Sequence, residues 1–169
     1  ALKTIVSKSP IPVVADIHFD YRLALLSIEN GADKIRINPG NLGGEDRVLE
    51  VARAARSRGI PIRVGVNAGS LEKKYLHQYG GVCADAMVKS ALHAIEALER
   101  ADFHDIVLSI KASDPALTID SYRLLSEKTA YPLHVGVTEA GTPRDGVIRS
   151  AVGIGTLLSE GIGDTIRVS

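Results

Sequence analysis

Leu133-His134-Val135-Gly136-Val137-Thr138-Glu139-Ala140-Gly141 is the stretch on which the fold assignment turns. It reads as a short buried strand that runs into a polar, glycine-tolerant turn. Side chains of a strand alternate faces, so Leu133, Val135 and Val137 share one side and His134, Gly136 and Thr138 the other. Glu139 stands at the strand's exit. The same grammar recurs along the chain: apolar residues on one parity, polar or charged residues on the other, then a loop.

Working outward, residues 12–18 read as a strand and 19–30 as a helix, with Asp20 as N-cap and Gly31 as its stop. Residues 33–38 form the next strand and end in the turn Asn38-Pro39-Gly40-Asn41. A helix over 45–58 is ended by Gly59, and 61–67 is a third strand. The longer connection 68–81 contains Ser70-Leu71-Glu72-Lys73, suited to cap a short helix. Residues 84–100 form an amphipathic helix with Met87, Ala91, Ala94, Ile95 and Leu98 inward. Then come a strand (105–111), a helix (115–128) with Pro near its first turn, the strand 133–138, a helix rich in small residues (144–158) and a last strand (165–169). Six strands alternating with helices imply an α/β fold with parallel strands. No linker or low-complexity segment interrupts them, which predicts a single domain over 1–169. A complete (β/α)₈ barrel takes about 250 residues, so the pattern reads as an incomplete TIM-type barrel. Ala1 in place of Met, and a chain that ends within a strand, suggest a piece of a longer protein.

Of the 169 residues, 45% are hydrophobic and 24% charged, with 20 basic and 20 acidic side chains. A formal net charge of zero argues against nucleic acid or a membrane as a partner held by bulk charge. The single cysteine, Cys83, excludes an internal disulfide and a self-contained cysteine-ligated cluster or zinc site, and fits a reducing compartment. The absence of a signal peptide and of a long apolar run points to a cytoplasmic protein. Cys83 reads as a helix-start packing residue, and His77, His93 and His104 as surface residues.

The parity of the strands carries the functional signal. Asp16 and His18 share a face. Lys34, Arg36 and Asn38 oppose Ile35 and Ile37. Arg63, Gly65 and Asn67 oppose Ile62, Val64 and Val66. Ser109 and Lys111 oppose Leu108 and Ile110. Thr165, Arg167 and Ser169 oppose Ile166 and Val168. The apolar parity is expected to pack under helices and the polar parity to face a barrel interior, which is normally filled by branched apolar residues. Buried charge is costly unless paired or ligand-bound, so a polar ligand is implied. Four of these residues are cations: Arg36, Arg63, Lys111 and Arg167. Arginine forks match phosphate bidentately and lysine acts as a point charge, which points to a ligand with two phosphates. The turns after Asn38 and Asn67 offer backbone N–H groups to anions. Other readings stand beside this one. A strand-end arginine is often a salt-bridge partner. Asp16 and His18 form either an internal pair or ligands for a divalent metal. His134 alone reads as a hydrogen-bonded core histidine. The glycines Gly153, Gly155, Gly161 and Gly163 lack the context of a dinucleotide fingerprint and read as places where a helix approaches the sheet closely.

Five segments resemble a known family: Val14-Ala15-Asp16-Ile17-His18-Phe19-Asp20-Tyr21, Arg36-Ile37-Asn38-Pro39-Gly40-Asn41, Gly65-Val66-Asn67-Ala68-Gly69-Ser70-Leu71, Val137-Thr138-Glu139-Ala140-Gly141, and Leu158 through Ser169. They are similar to the bacterial 4-hydroxy-3-methylbut-2-enyl diphosphate synthases of the non-mevalonate isoprenoid pathway, nearly end to end. The resemblance implies a TIM-barrel domain that holds 2-C-methyl-erythritol 2,4-cyclodiphosphate, which the family opens reductively with loss of water. It implies a [4Fe–4S] cluster in a separate C-terminal domain, with ligands outside this chain, reduced flavodoxin or ferredoxin as electron donor, and a homodimer for the full-length enzyme. The family's diphosphate-binding positions fall on Arg36, Arg63, Lys111, Arg167 and Ser169, with Asn67 beside them. Glu139 is the candidate for proton handling, and Asp16, His18 and His134 are supporting polar residues. Two rival readings of the residues remain: a Schiff-base aldolase with Lys111 as nucleophile, and a stand-alone diphosphate-binding domain.

Overall fold

Alternation of apolar and polar residues becomes strand at six places, and helices fill the intervals. The structure, a computed structural model, describes residues 1–169. Its elements are α1 (Leu2–Lys8), β1 (Val14–Asp16), α2 (Tyr21–Glu29), β2 (Lys34–Ile37), α3 (Glu45–Arg58), β3 (Ile62–Asn67), α4 (Lys73–Tyr79), α5 (Ala84–Arg100), β4 (Ile106–Lys111), α6 (Pro115–Ser126), β5 (His134–Val135), α7 (Pro143–Ser159) and β6 (Thr165–Ile166), with 3₁₀ turns at Pro39–Asn41 and Ala68–Ser70. The strands form a four-stranded sheet in the order β1-β2-β3-β4 and a two-stranded sheet of β5 and β6. β1 with β2, β2 with β3 and β5 with β6 all pair in parallel, so the fold is α/β with parallel strands. No helix is long and apolar enough to cross a membrane. The chain divides into two units, Ala1–Val64 with His93–Val107, and Gly65–Leu92 with Leu108–Ser169.

In the first unit, Ile35, Ile37, Ile62 and Val64 are buried with Ala24 and Ile28 of α2 and Val48, Val51, Ala52 and Ala55 of α3. Burying a side chain of this size stabilises by about 1.5–3 kcal/mol. α2 packs on α3. Asp20 caps α2 by accepting from the Arg22 N–H at 3.0 Å. α3 carries Glu45 and Asp46 in its first turn and Arg56 and Arg58 in its last, which suits the helix dipole, and ends at Gly59 in the left-handed region. The start of the sheet is tied by Asp33, whose Oδ2 accepts from the Val13 N–H at 2.7 Å while its own N–H donates to the Val13 carbonyl at 2.9 Å.

The second unit repeats that tie. Asp164 Oδ2 accepts from the Leu133 N–H at 2.7 Å, and the Asp164 N–H donates to the Leu133 carbonyl at 2.9 Å. His134 and Val135 then pair with Thr165 and Ile166. Leu108, Ile110, Tyr122, Leu125, Val135 and Leu157 are fully buried. Asp114 caps α6 by accepting from the Ala116 N–H at 3.0 Å, with Pro115 in the first turn. α6 packs on α7. Gly153 on α7 brings that helix close to the sheet: an added Cβ would stand 2.8 Å from Val137 Cγ2. The expected close approach is therefore present at Gly153, and at Gly163 against Val135, but not at Gly155 or Gly161, where an added Cβ would meet nothing within 4 Å.

Several sequence expectations need correction. The helix expected over 19–30 is α2, which begins at Tyr21 and not at 19, because Phe19 has φ 64° and lies outside it. The helix expected to reach 128 ends at Ser126. The strands expected over 133–138 and 165–169 shrink to two residues each. α1, not expected from the sequence although Leu2, Ile5 and Val6 stand at helical spacing, carries no buried residue. Ser70 closes a 3₁₀ turn and does not cap α4; Glu72 takes the N-cap place without a side-chain cap, and its carboxylate accepts from Ser90 Oγ at 2.7 Å. Ile166 and Val168, expected under a helix, are 53% and 58% exposed, since β6 pairs with β5 alone.

Candidate functional site

In the first unit the register sets three side chains in a row, with Asp16 opposite Arg36 and Arg36 opposite Arg63. Adjacent strands stand about 4.8 Å apart. Arg36 is only 6% exposed. Its Nη1 donates to Asp16 Oδ1 at 3.0 Å and lies 3.5 Å from His18 Nε2. His18 Nε2 is in turn 3.4 Å from Asp16 Oδ1. A charge-assisted hydrogen bond of this kind contributes about 1.5–3 kcal/mol when shielded. The trio favours the internal-pair reading of Asp16 and His18, because a guanidinium at hydrogen-bond distance opposes a divalent cation at the same carboxylate. The row of one acid and two arginines is suited to an anion. Asn38, the next residue of the same parity, is buried and turns inward on its own loop, its Oδ1 accepting from the Gly40 N–H at 3.1 Å.

In the second unit, Lys111, Gly136 and Arg167 converge. Lys111 is 8% exposed. A Cβ built on Gly136 would stand 3.0 Å from Lys111 Nζ and 2.5 Å from the Arg167 carbonyl oxygen. The ammonium therefore rests in space that only glycine leaves open. The Arg167 N–H donates to the Val135 carbonyl at 3.0 Å, and its residue is exposed. His134 is buried, with Nδ1 2.8 Å from Thr165 Oγ1. Ser169 is exposed, and its carbonyl approaches α7 so closely that a Cβ on Gly146 would stand 2.9 Å from it. Asn67 is half-buried and opens the 3₁₀ turn, its carbonyl accepting from Ser70 Oγ at 3.4 Å. Glu139 is exposed, on the loop before α7, and has φ 51°, a left-handed conformation uncommon outside glycine.

Asp16, His18, Arg36 and Arg63 are thus assembled in one unit, and Lys111 with the backbones of Gly136 and Arg167 in the other. His134 is held by the β5–β6 pair. Two supporting residues escape the parity argument, Asp33 and Asp164. The signal for them is the repeated Asp-x-Ile-Arg of Asp33-Lys34-Ile35-Arg36 and Asp164-Thr165-Ile166-Arg167, in which the acid ties the neighbouring strand and the arginine follows three residues on. No group of three or more His, Cys, Asp or Glu side chains is placed to hold a metal ion. Cys83 is half-buried ahead of α5, and its carbonyl accepts from the Met87 N–H at 3.1 Å.

The whole chain, residues 1–169, matches the family described as the GcpE TIM-barrel domain. It is 62% identical over 169 residues to the 4-hydroxy-3-methylbut-2-en-1-yl diphosphate synthase (flavodoxin) of Clostridium tetani, covering 100% of this chain and 48% of that protein. To the protein of the same name from Ruminiclostridium cellulolyticum it is 66% identical over 159 residues, 94% of this chain and 45% of that one. The chain spans about half the length of the curated relatives it matches. Among solved structures, a Yersinia pestis dihydropteroate synthase with a sulfonamide drug superposes with a TM-score of 0.68 at 17% identity, over 98% of this chain and 63% of that one, a likeness of fold alone.

Proposed function

Because the chain belongs to the GcpE TIM-barrel domain family, we propose that it is the substrate-binding barrel part of an oxidoreductase that converts 2-C-methyl-erythritol 2,4-cyclodiphosphate to 4-hydroxy-3-methylbut-2-enyl diphosphate. The observation that carries this reading is identity of 62% along the entire chain to a relative named for that product. An electron pair and two protons enter, the cyclic diphosphate opens, and one water leaves. Reduced flavodoxin is the proposed electron donor, in keeping with the name of the relatives.

The proposed division of labour follows the charges. By the family resemblance, Arg36, Arg63, Lys111 and Arg167 are the cations proposed to neutralise and orient the diphosphate, with Asn67 and Ser169 as further contacts. Asp16 and His18 hold the Arg36 guanidinium in place, and His134 is a supporting polar group. Glu139, exposed at the exit of β5, moves a proton. A [4Fe–4S] cluster does not fit the residues of this chain: there is one cysteine and no group of three or more metal-ligating side chains. The proposed enzyme is a homodimer at full length, as the resemblance implies.

The test is a calorimetric titration of the full-length enzyme with the cyclic diphosphate, beside its Arg63→Ala variant. Saturable binding weakened in the variant by about 1–3 kcal/mol, the worth of a lost charged hydrogen-bond partner, is expected. Unchanged affinity in a folded variant removes Arg63 from the site.

A further inference from the structure

β4 and β5 begin as ordinary parallel neighbours. Leu108 pairs with Leu133, and the Leu108 N–H donates to the Pro132 carbonyl at 2.8 Å. In a regular parallel ladder the next rung runs from the Ile110 N–H to the His134 carbonyl, two residues on along one strand. That rung is absent. The Tyr122 hydroxyl stands in its place, accepting from the Ile110 N–H at 3.0 Å and donating to the His134 carbonyl at 2.6 Å. One rung further, the Ala112 N–H donates to Thr118 Oγ1 at 3.2 Å. Thr118 and Tyr122 are four residues apart on α6, so they lie on one face of it, and both are fully buried. The strands meet again only where the Thr138 N–H donates to the Ala112 carbonyl at 3.1 Å.

The Tyr122 hydroxyl thus takes up one rung between the strands, and the Thr118 hydroxyl ties the end of β4 to α6, accepting from the Ala112 N–H at 3.2 Å and facing the Ala112 and Asp114 carbonyls at 3.2 and 2.9 Å. Lys111 is the residue between Ile110 and Ala112, the two whose N–H groups α6 takes up. Its ammonium lies against Gly136, two residues past the carbonyl that Tyr122 holds. Resting on the reading that Lys111 contacts the diphosphate, we propose that Tyr122 and Thr118 are positioning residues for Lys111: the Tyr122 hydroxyl holds β4 and β5 apart at Ile110, and the Thr118 hydroxyl fixes the backbone at Ala112, so that the ammonium between them fits beside Gly136. A buried tyrosine needs partners for its hydroxyl in any fold. Here, however, those partners are the donor and the acceptor of one missing rung, and a phenylalanine would either leave both unsatisfied or let the strands close.

The experiment uses the full-length enzyme and its Tyr122→Phe, Thr118→Val and Lys111→Ala variants, with both Tyr122→Phe/Lys111→Ala and Thr118→Val/Lys111→Ala doubles. Calorimetry gives the Kd for the cyclic diphosphate, steady-state turnover gives kcat, and thermal unfolding gives Tm. Tyr122→Phe is expected to raise Kd about tenfold, within the range of couplings between residues linked through a backbone shift, and to leave kcat at saturating substrate nearly unchanged. In the Lys111→Ala background it is expected to raise Kd no further. If Tyr122→Phe does not fold, Thr118→Val carries the same pair of expectations. Full additivity in the double variant, or an unchanged Kd in a folded single variant, overturns the proposal. Lys111→Ala with unchanged Kd overturns the reading of Lys111 itself and the proposal with it, an outcome distinct from the other two.

Discussion

Arg36 on β2 and Asp16 on β1 are register partners whose side chains also meet, Nη1 to Oδ1 at 3.0 Å. The guanidinium is nearly buried, whereas the Asp16 side chain is 40% exposed. Removing the carboxylate takes a charged acceptor from a cation that has little access to water. Asp16→Ala is therefore expected to lower stability by about 1–3 kcal/mol, with the exposure of Asp16 holding it below the cost of a fully buried pair. Urea unfolding of the two proteins measures it. An unmoved midpoint would show that the other partners of Arg36 suffice.

Glu139 holds a left-handed backbone at φ 51°, on a loop whose next residue, Ala140, is buried. A conformation of this kind in a non-glycine residue costs about 1–2 kcal/mol and persists where surrounding structure imposes it. Glu139→Gln keeps size and polarity but cannot take up a proton at neutral pH. If Glu139 transfers a proton in the proposed reaction, kcat of the full-length enzyme falls about 10²–10⁴-fold with little change in KM. A loss confined to KM would make Glu139 a binding residue.

The interiors of the strands were legible because branched apolar residues alternate there without interruption: Ile35, Ile37, Ile62, Val64, Leu108 and Ile110 are all buried. The caps were legible for an equally local reason, since Asp20 and Gly59 act within their own turns. The row Asp16, Arg36, Arg63 followed from parity once the strands were aligned in parallel. Strand ends were not legible. The apolar alternation of 133–138 continues past the point where Tyr122 interrupts the ladder, and an interruption supplied by the hydroxyl of a residue on the preceding helix leaves no mark within the strand. The ties made by Asp33 and Asp164 escaped for a different reason: each acid precedes its strand and acts on a residue 20 or 31 positions away, outside any periodic pattern.

Among the glycines of the second unit, Gly136 leaves the least room for a side chain. A methyl group there would fall 2.5 Å from the Arg167 carbonyl oxygen, which is backbone, and 3.0 Å from Lys111 Nζ, which is the mobile end of a side chain. The lysine can yield and the carbonyl cannot, so the strain falls on the pairing of β5 with β6. Gly136→Ala is expected to cost about 1–3 kcal/mol, as overpacking does. It should also speed amide hydrogen exchange at Arg167, whose N–H bonds Val135. Full stability with unchanged exchange would mean that the added methyl group is accommodated without disturbing the β5–β6 pair.

Arg123 on α6 and Glu160 at the end of α7 form a paired contact, with Nε donating to Oε2 at 2.9 Å and Nη2 to Oε1. The hydrogen bond from Arg123 is the main cause that holds the Glu160 carboxyl below its ordinary value of 4.5, with charge attraction in support and burial opposing. The same bond raises Arg123, against the effect of burial and with smaller help from the charges of Glu160 and Asp120. Because the carboxyl is depressed in the folded state, its contribution is present above the unfolded value and is lost as pH falls through the folded one. Both groups are at the surface, so the contribution is small and screened by salt. Wild type and Glu160→Gln should therefore differ in Tm near neutral pH at low salt, and the difference should vanish well below pH 4.5. A difference that persists undiminished in acid would assign the effect of Glu160 to packing and not to charge.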